Sequence, residues 1–282
     1  LFDNLLTVKL DEATGAISSL QIKGIKSDLV NIQSGMGLND YFYVAGRRPD
    51  SPQRNGQVRI SVKEKGPLVA SLLIESEAPG CNKLTREIRL VYGLNRVDII
   101  NTIDKKNIYL PESVHVAFPF YVPDGVMRMD VAWGLFRPEH GQLPGSNKNH
   151  FAVQRWVDVS NQEYGLTWAT VDAPLVEVGN ITADPTSVGW IQHLKPSQTL
   201  YSYIMNNYWE TNYKASQEGP AVFRYSLKPH GPFNPTEAKR FGIERLQPLI
   251  VVPADRKQST PSSLFKINPS AVMATSIKPS RD

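Results

Sequence analysis

Aromatic, amide and carboxylate side chains crowd together in Asn206, Asn207, Tyr208, Trp209, Glu210, Thr211, Asn212 and Tyr213. A flat aromatic face can cover the C–H face of a sugar ring, and fixed amides and carboxylates beside it can bond the ring hydroxyls. Trp209 is the member best suited to stacking. The same residues serve equally well as architecture: a tryptophan packs a β-core, and asparagines hold irregular loops through backbone hydrogen bonds. A second group, Arg137, Glu139 and Gln142, sits in a stretch punctuated by Pro138, Gly141, Pro144 and Gly145. Binding residues often occupy such loops, and an ion pair that pins the loop explains the same residues.

Catalytic spacing is harder to find. A retaining glycosidase needs two carboxyl groups ~5–5.5 Å apart. A catalytic zinc needs three protein ligands around an open position. The histidines are His115, His140, His150, His193 and His230, and none falls in an HxD, HxxxH or HExxH pattern. Cofactors are therefore expected to be none in this chain, with no metal ligands. His115 or His193 facing Glu177 stays open as an acid–base pair of the kind an aldose epimerase uses. Cys81, the single cysteine, excludes an intrachain disulfide and reads as a loop residue in a Pro-Gly turn.

The elements that must position these residues follow a period of two. Val58, Ile60 and Val62 alternate, then residues 68–75, then Leu84, Ile88 and Leu90, then Val97, Ile99 and Ile103, with short turns between them. Short turns suit an antiparallel meander, because parallel strands need long crossovers. Residues 1–22 read as a hairpin. Further strands are expected at 113–121, 152–159, 165–171, 199–206, 221–227 and 249–252, and one short helix at 235–246, weakened by Gly242. With 41% hydrophobic and 21% charged residues, a large core is affordable. The reading is all-β: a large antiparallel β-sandwich over residues 1–255. Residues 256–282 read as a polar linker followed by the start of a further β-subdomain around Leu264, Ile267 and Val272. A net charge of +4, with scattered Lys and Arg, gives no stripe for nucleic acid. No apolar run approaches the ~20 residues that span a bilayer.

Several blocks, in order, resemble the β-domain in the C-terminal half of bacterial glycoside hydrolase family 38, the α-mannosidases. They are residues 10–20, Asn39-Asp40-Tyr41-Phe42-Tyr43-Val44, residues 87–105, Phe118-Pro119-Phe120, Arg137-Pro138-Glu139, residues 142–146, residues 154–158 and the 203–230 stretch. The resemblance implies a super-sandwich of the galactose mutarotase type. It implies carbohydrate, in the form of mannose-containing glycans, and an upstream catalytic domain of the same protein as partners. It also implies zinc for the full-length enzyme, held outside this chain, and a periplasmic or extracellular setting if the source is bacterial. In the family a tyrosine from the matching block reaches toward the sugar pocket, which makes Tyr41 a substrate-binding candidate beside Trp209, Arg137 and Gln142. Tyr41 is also an ordinary sheet aromatic. The chain alone is expected to be inactive. A stand-alone carbohydrate-binding module, or an epimerase or lyase on the same fold, remains open as an alternative.

Overall fold

A computed structural model of the chain describes residues 1–208, 214–247, 249–251, 253 and 265–279. The strands run β1 (Leu6–Leu10), β2 (Ile17–Ile22), β3 (Asp40–Ala45), β4 (Val58–Lys65), β5 (Val69–Ala78), β6 (Cys81–Val91), β7 (Val97–Lys105) and β8 (Glu112–Pro119). They continue with β9 (Val126–Val131), β10 (Gly134–Phe136), β11 (Phe151–Ala152), β12 (Trp156–Ser160), β13 (Gly165–Thr170), β14 (Leu175–Val178), β15 (Thr199–Asn206) and β16 (Gly219–His230). Among the described residues a 3-10 turn at Ile32–Ser34 and two α-helices, α1 (Pro185–Val188) and α2 (Pro235–Leu246), complete the set.

Among the described residues these form a nine-stranded sheet ordered β10-β9-β12-β13-β16-β7-β6-β5-β4, a five-stranded sheet ordered β11-β14-β15-β8-β3, and the β1-β2 hairpin. The meander read from the sequence is β4 to β7, each strand antiparallel to the next. The nine-stranded sheet is completed by distant pairings, such as Tyr225 opposite Ile99 between β16 and β7.

The core lies between the two large sheets. Val116 and Phe118 of β8 and Leu200 of β15 meet Ile99, Trp168, Tyr225 and Leu227 from the other sheet. Phe118 stands edge-on to Trp168 at 5.4 Å and to Tyr225 at 5.1 Å, and Trp168 stacks on Tyr225. Offset and edge-on arrangements are those the ring quadrupoles favour. A second cluster joins Tyr41, Tyr43, Ala78, Cys81, Leu84, Ile103, Val114 and Met205 at one end of the sandwich.

The five-stranded sheet is buried on both faces. Every residue of β8 is buried, where a half-solvated strand would alternate. Tyr41 and Tyr43 of β3 enter the second cluster, while Phe42 turns to the opposite face and packs with Ala117, Tyr201, Met36 and Ile181.

Three readings differ from the structure. Strands β9, β10 and β14 were not expected. They are short, and Arg128 and Asp130 interrupt the apolar character of β9. Leu249, Ile250 and Val251 form no strand and are at least 90% exposed. Residues 265–279 likewise contain no strand. An apolar run gains nothing from β-geometry without a neighbour to complete its hydrogen-bond ladder. The expected helix is present over its full range. Its Gly242 is a packing requirement, since a Cβ there would lie 2.8 Å from Trp156 Cδ1 and 2.9 Å from Arg155 Cβ. No helix among the described residues is long and apolar enough to cross a membrane.

Candidate functional site

Tyr41 lies on the inner face of β3 and is 1% exposed. Its hydroxyl donates to the Pro79 carbonyl at 2.6 Å and sits 3.4 Å from Cys81 Sγ. Burial drives the phenol far above its ordinary value. Within this chain both its ring and its hydroxyl are committed to the core.

Trp209 lies outside the described residues, together with residues 210–213. The two residues before it are placed. The Asn207 side chain accepts from Glu112 N at 2.7 Å and donates to the carbonyls of Ile108 and Leu110. It thereby holds the β7–β8 connection by the backbone bonding expected of a loop asparagine. Tyr208 donates to the Gly46 carbonyl and stands 2.9 Å from Ser113 Oγ, and burial lifts its phenol to about 12.

Arg137 and Gln142 occupy one loop, after β10. Gln142 is spent on the loop's own shape, accepting from Glu139 N and donating to the Asn147 carbonyl. Glu139 is the anchor. Lys148 Nζ lies at 2.8 Å, His193 Nδ1 at 2.8 Å and Leu194 N at 2.9 Å, and together they hold its carboxyl down at about 2. Arg137 is exposed and lines an open groove of about 680 Å³ with Tyr121, His140, Lys195 and Gln198. Arg137 and Gln142 thus share a loop, of which only Arg137 lines the groove, and Tyr41 lies in the core.

The acid–base pair left open by the sequence is resolved in favour of His115. On the outer face of the five-stranded sheet, His115 of β8 and Glu177 of β14 approach across β15, with Nδ1 2.8 Å from Oε2, a contact outside hydrogen-bond geometry. His115 Nε2 is 2.8 Å from Ser113 Oγ, and Tyr203 stacks on the imidazole. His193 is 85% exposed at its side chain and pairs with Glu139 instead. The order Ser113–His115–Glu177 has the connectivity of a nucleophile relay. All three residues are nevertheless 0% exposed, and the other Glu177 oxygen is filled by Thr182 N, Thr182 Oγ1 and Ala183 N. With all three sealed from solvent, this is an interior network, and the Thr182 and Ala183 contacts to Glu177 fasten the segment after β14 to the sheet.

The sequence reading missed another acid–histidine pair. His230 Nε2 lies 2.7 Å from Asp158 Oδ2, which also accepts from Thr167 Oγ1, while Ser160 Oγ donates to Oδ1. It borders a cavity of about 270 Å³ beside α2, lined by Lys228, Asn234, Glu237 and Phe241. His230 and Asp158 are far apart in the chain, and only the pairing of β12 with β13 and of β13 with β16 brings them together. Among the described residues no three His, Cys, Asp or Glu side chains are grouped to hold a metal ion. The zinc implied by the resemblance therefore finds no fitting ligand set among them.

Comparison with family models matches residues 1–172 to the glycosyl hydrolases family 38 C-terminal domain. The chain belongs to that family. This family 38 domain is similar in structure to an α-mannosidase from Enterococcus faecalis V583, with a TM-score of 0.65 and 14% identity over 88% of this chain and 31% of that one. A glycosyl hydrolase family 38 protein from Enterococcus faecalis gives 0.64 and 15%, over 88% of this chain and 32% of that one. The α-N-acetylgalactosaminidase NagBb from Bifidobacterium bifidum gives 0.50 and 10%, over 88% and 38%. At these identities the likeness shows the fold. The family 38 domain spans about a third of the length of the solved Enterococcus proteins. No curated protein sequence matches it.

Proposed function

We propose that this chain is the non-catalytic β-sandwich portion of an α-mannosidase-like glycoside hydrolase. It supports an upstream catalytic domain of the same protein, which carries the zinc and acts on mannose-containing glycans, and it lends side chains to the rim of the sugar pocket. The carrying observation is the family 38 C-terminal match over residues 1–172. The burial of the His115–Glu177 pair supports the same reading, because an epimerase acid–base pair must reach a bound sugar. Arg137, exposed on its loop, is the side chain of this chain best placed to reach a neighbouring domain or its substrate.

The test is direct. Purified chain and full-length gene product are assayed on an aryl α-mannoside with added zinc. Turnover is expected from the full-length protein and none from the chain. Turnover by the chain at a rate similar to that of the full-length protein would overturn the reading.

A further inference from the structure

Asp40 begins β3 on the outer face of the five-stranded sheet, and its side chain is 1% exposed. Neither carboxylate oxygen completes a hydrogen bond with any described residue. The nearest cation, Arg54 Nη2, is 3.5 Å from Oδ2. Arg54 is itself fixed, donating to the Gly35 carbonyl at 2.6 Å and lying over the Phe42 ring at 5.1 Å. Burial raises the Asp40 carboxyl above its ordinary range; Arg54, Arg86 and the Gly37 N–H pull it back only in part. A buried carboxylate so sparsely bonded is costly, and its roughly four lone-pair sites ask for further N–H or O–H groups.

Asp40 forms part of the wall of an open cavity of about 270 Å³, together with Asp11, Thr14, Met36 and Arg54. That space is far larger than the ~30 Å³ share of one liquid water. Two carboxylates, Asp11 and Asp40, are set against two guanidinium groups, Arg54 on the wall and Arg86 close enough to act on Asp40. The charges balance, so nothing favours a free ion. An ammonium group bonding Asp40 would also meet Arg54 at close range. Hydroxyl groups suit both partners, because they donate to Asp40 and accept from the remaining N–H groups of Arg54. Met36 and Ile32 supply an apolar edge for a C–H face.

We propose that the cavity over Asp40 binds a neutral polyhydroxylated molecule about the size of one sugar ring. The site stands apart from the scaffold role, since it is complete within this chain and needs no catalytic domain.

Amide NMR titration of the chain tests it, with the methyl glycosides of mannose, glucose and galactose, and with ethylammonium as the cationic control. The expected result is saturable shifts at Thr14, Gly35 and Gly37 with at least one glycoside. In Asp40→Asn the affinity should fall about tenfold or more, as befits loss of hydrogen bonds to a charged acceptor. Arg54→Gln, at a half-exposed position, should weaken binding in the same direction and serves if Asp40→Asn does not fold. Saturable shifts with ethylammonium and none with the glycosides would overturn the proposal. So would no saturable shift at all, or binding unchanged in a folded Asp40→Asn or Arg54→Gln protein.

Discussion

Lys105 and Glu112 show how much of this interior depends on single polar side chains. Both are 2% exposed at the side chain, with Nζ 2.5 Å from Oε1, and Tyr43 donates to the other Glu112 oxygen at 2.7 Å. Removing one partner of a buried pair leaves the other charged and unsolvated. Lys105→Met should therefore cost about 3–5 kcal/mol in urea unfolding. Adding Glu112→Gln should recover part of that loss, and a double-mutant cycle with no coupling would contradict this account. Glu139 is the opposite case, a partly exposed carboxylate held by three donors at about 2, below its ordinary 4.5. A depressed carboxyl stabilises the fold fully above the unfolded value, and that contribution is lost as pH falls from about 4.5 toward 2. Thermal melts across this window should drop less steeply for Glu139→Gln than for the parent. Equal slopes would mean that the Lys148, His193 and Leu194 contacts do not hold in solution. Both residues were visible in the sequence as types, and Glu139 was singled out, but their partners come from other elements and were not.

At the scale of elements, α2 shows a propensity rule overridden by packing. Asn234 caps it by accepting from Thr236 N and Glu237 N, and Pro235 opens it, which is why its start was legible. Gly242 argued against the helix in the sequence and is what lets it lie on Trp156. Gly242→Ala gains about 1 kcal/mol of helix propensity. The added methyl meets an indole and a β-carbon that are already packed, so a net loss of about 1–3 kcal/mol is expected. Chemical denaturation decides the sign, and a stabilised variant would show that the helix sits farther from the sheet. The meander β4 to β7 was equally legible, because β4, β6 and β7 alternate and each turn carries its own signal. The short strands β9, β10 and β14 were not, since they exist through their neighbours: β14 pairs with β11 and β15. The same dependence decided between His115 and His193. His115 is on an interior strand of the five-stranded sheet, whose order brings Glu177 two strands away, across β15.

Across the whole molecule, one aromatic cluster ties the sheets together through Phe118 of β8, Trp168 of β13 and Tyr225 of β16. Because that core is shared, loss of β-structure by far-UV circular dichroism should coincide with loss of the near-UV signal of Trp168 and its aromatic neighbours. A sheet that melts before the aromatic signal would break the shared-core picture. Pairing β16 with β7 closes a chain separation of more than a hundred residues, so refolding is expected on the order of milliseconds to seconds or slower. The sequence by itself determined the β class, the antiparallel meander, the short helix and the family blocks, because alternation, turn chemistry and helix-forming residues are local properties. Only the tertiary structure decided that Tyr41 is sealed in the core, that the Ser113–His115–Glu177 row is closed to solvent, and that Asp40 faces a cavity beside Arg54. Those outcomes depend on sheet order and on which face of each strand is covered. Residues far apart in the chain set both, and alternation along one strand does not record which face meets a second layer.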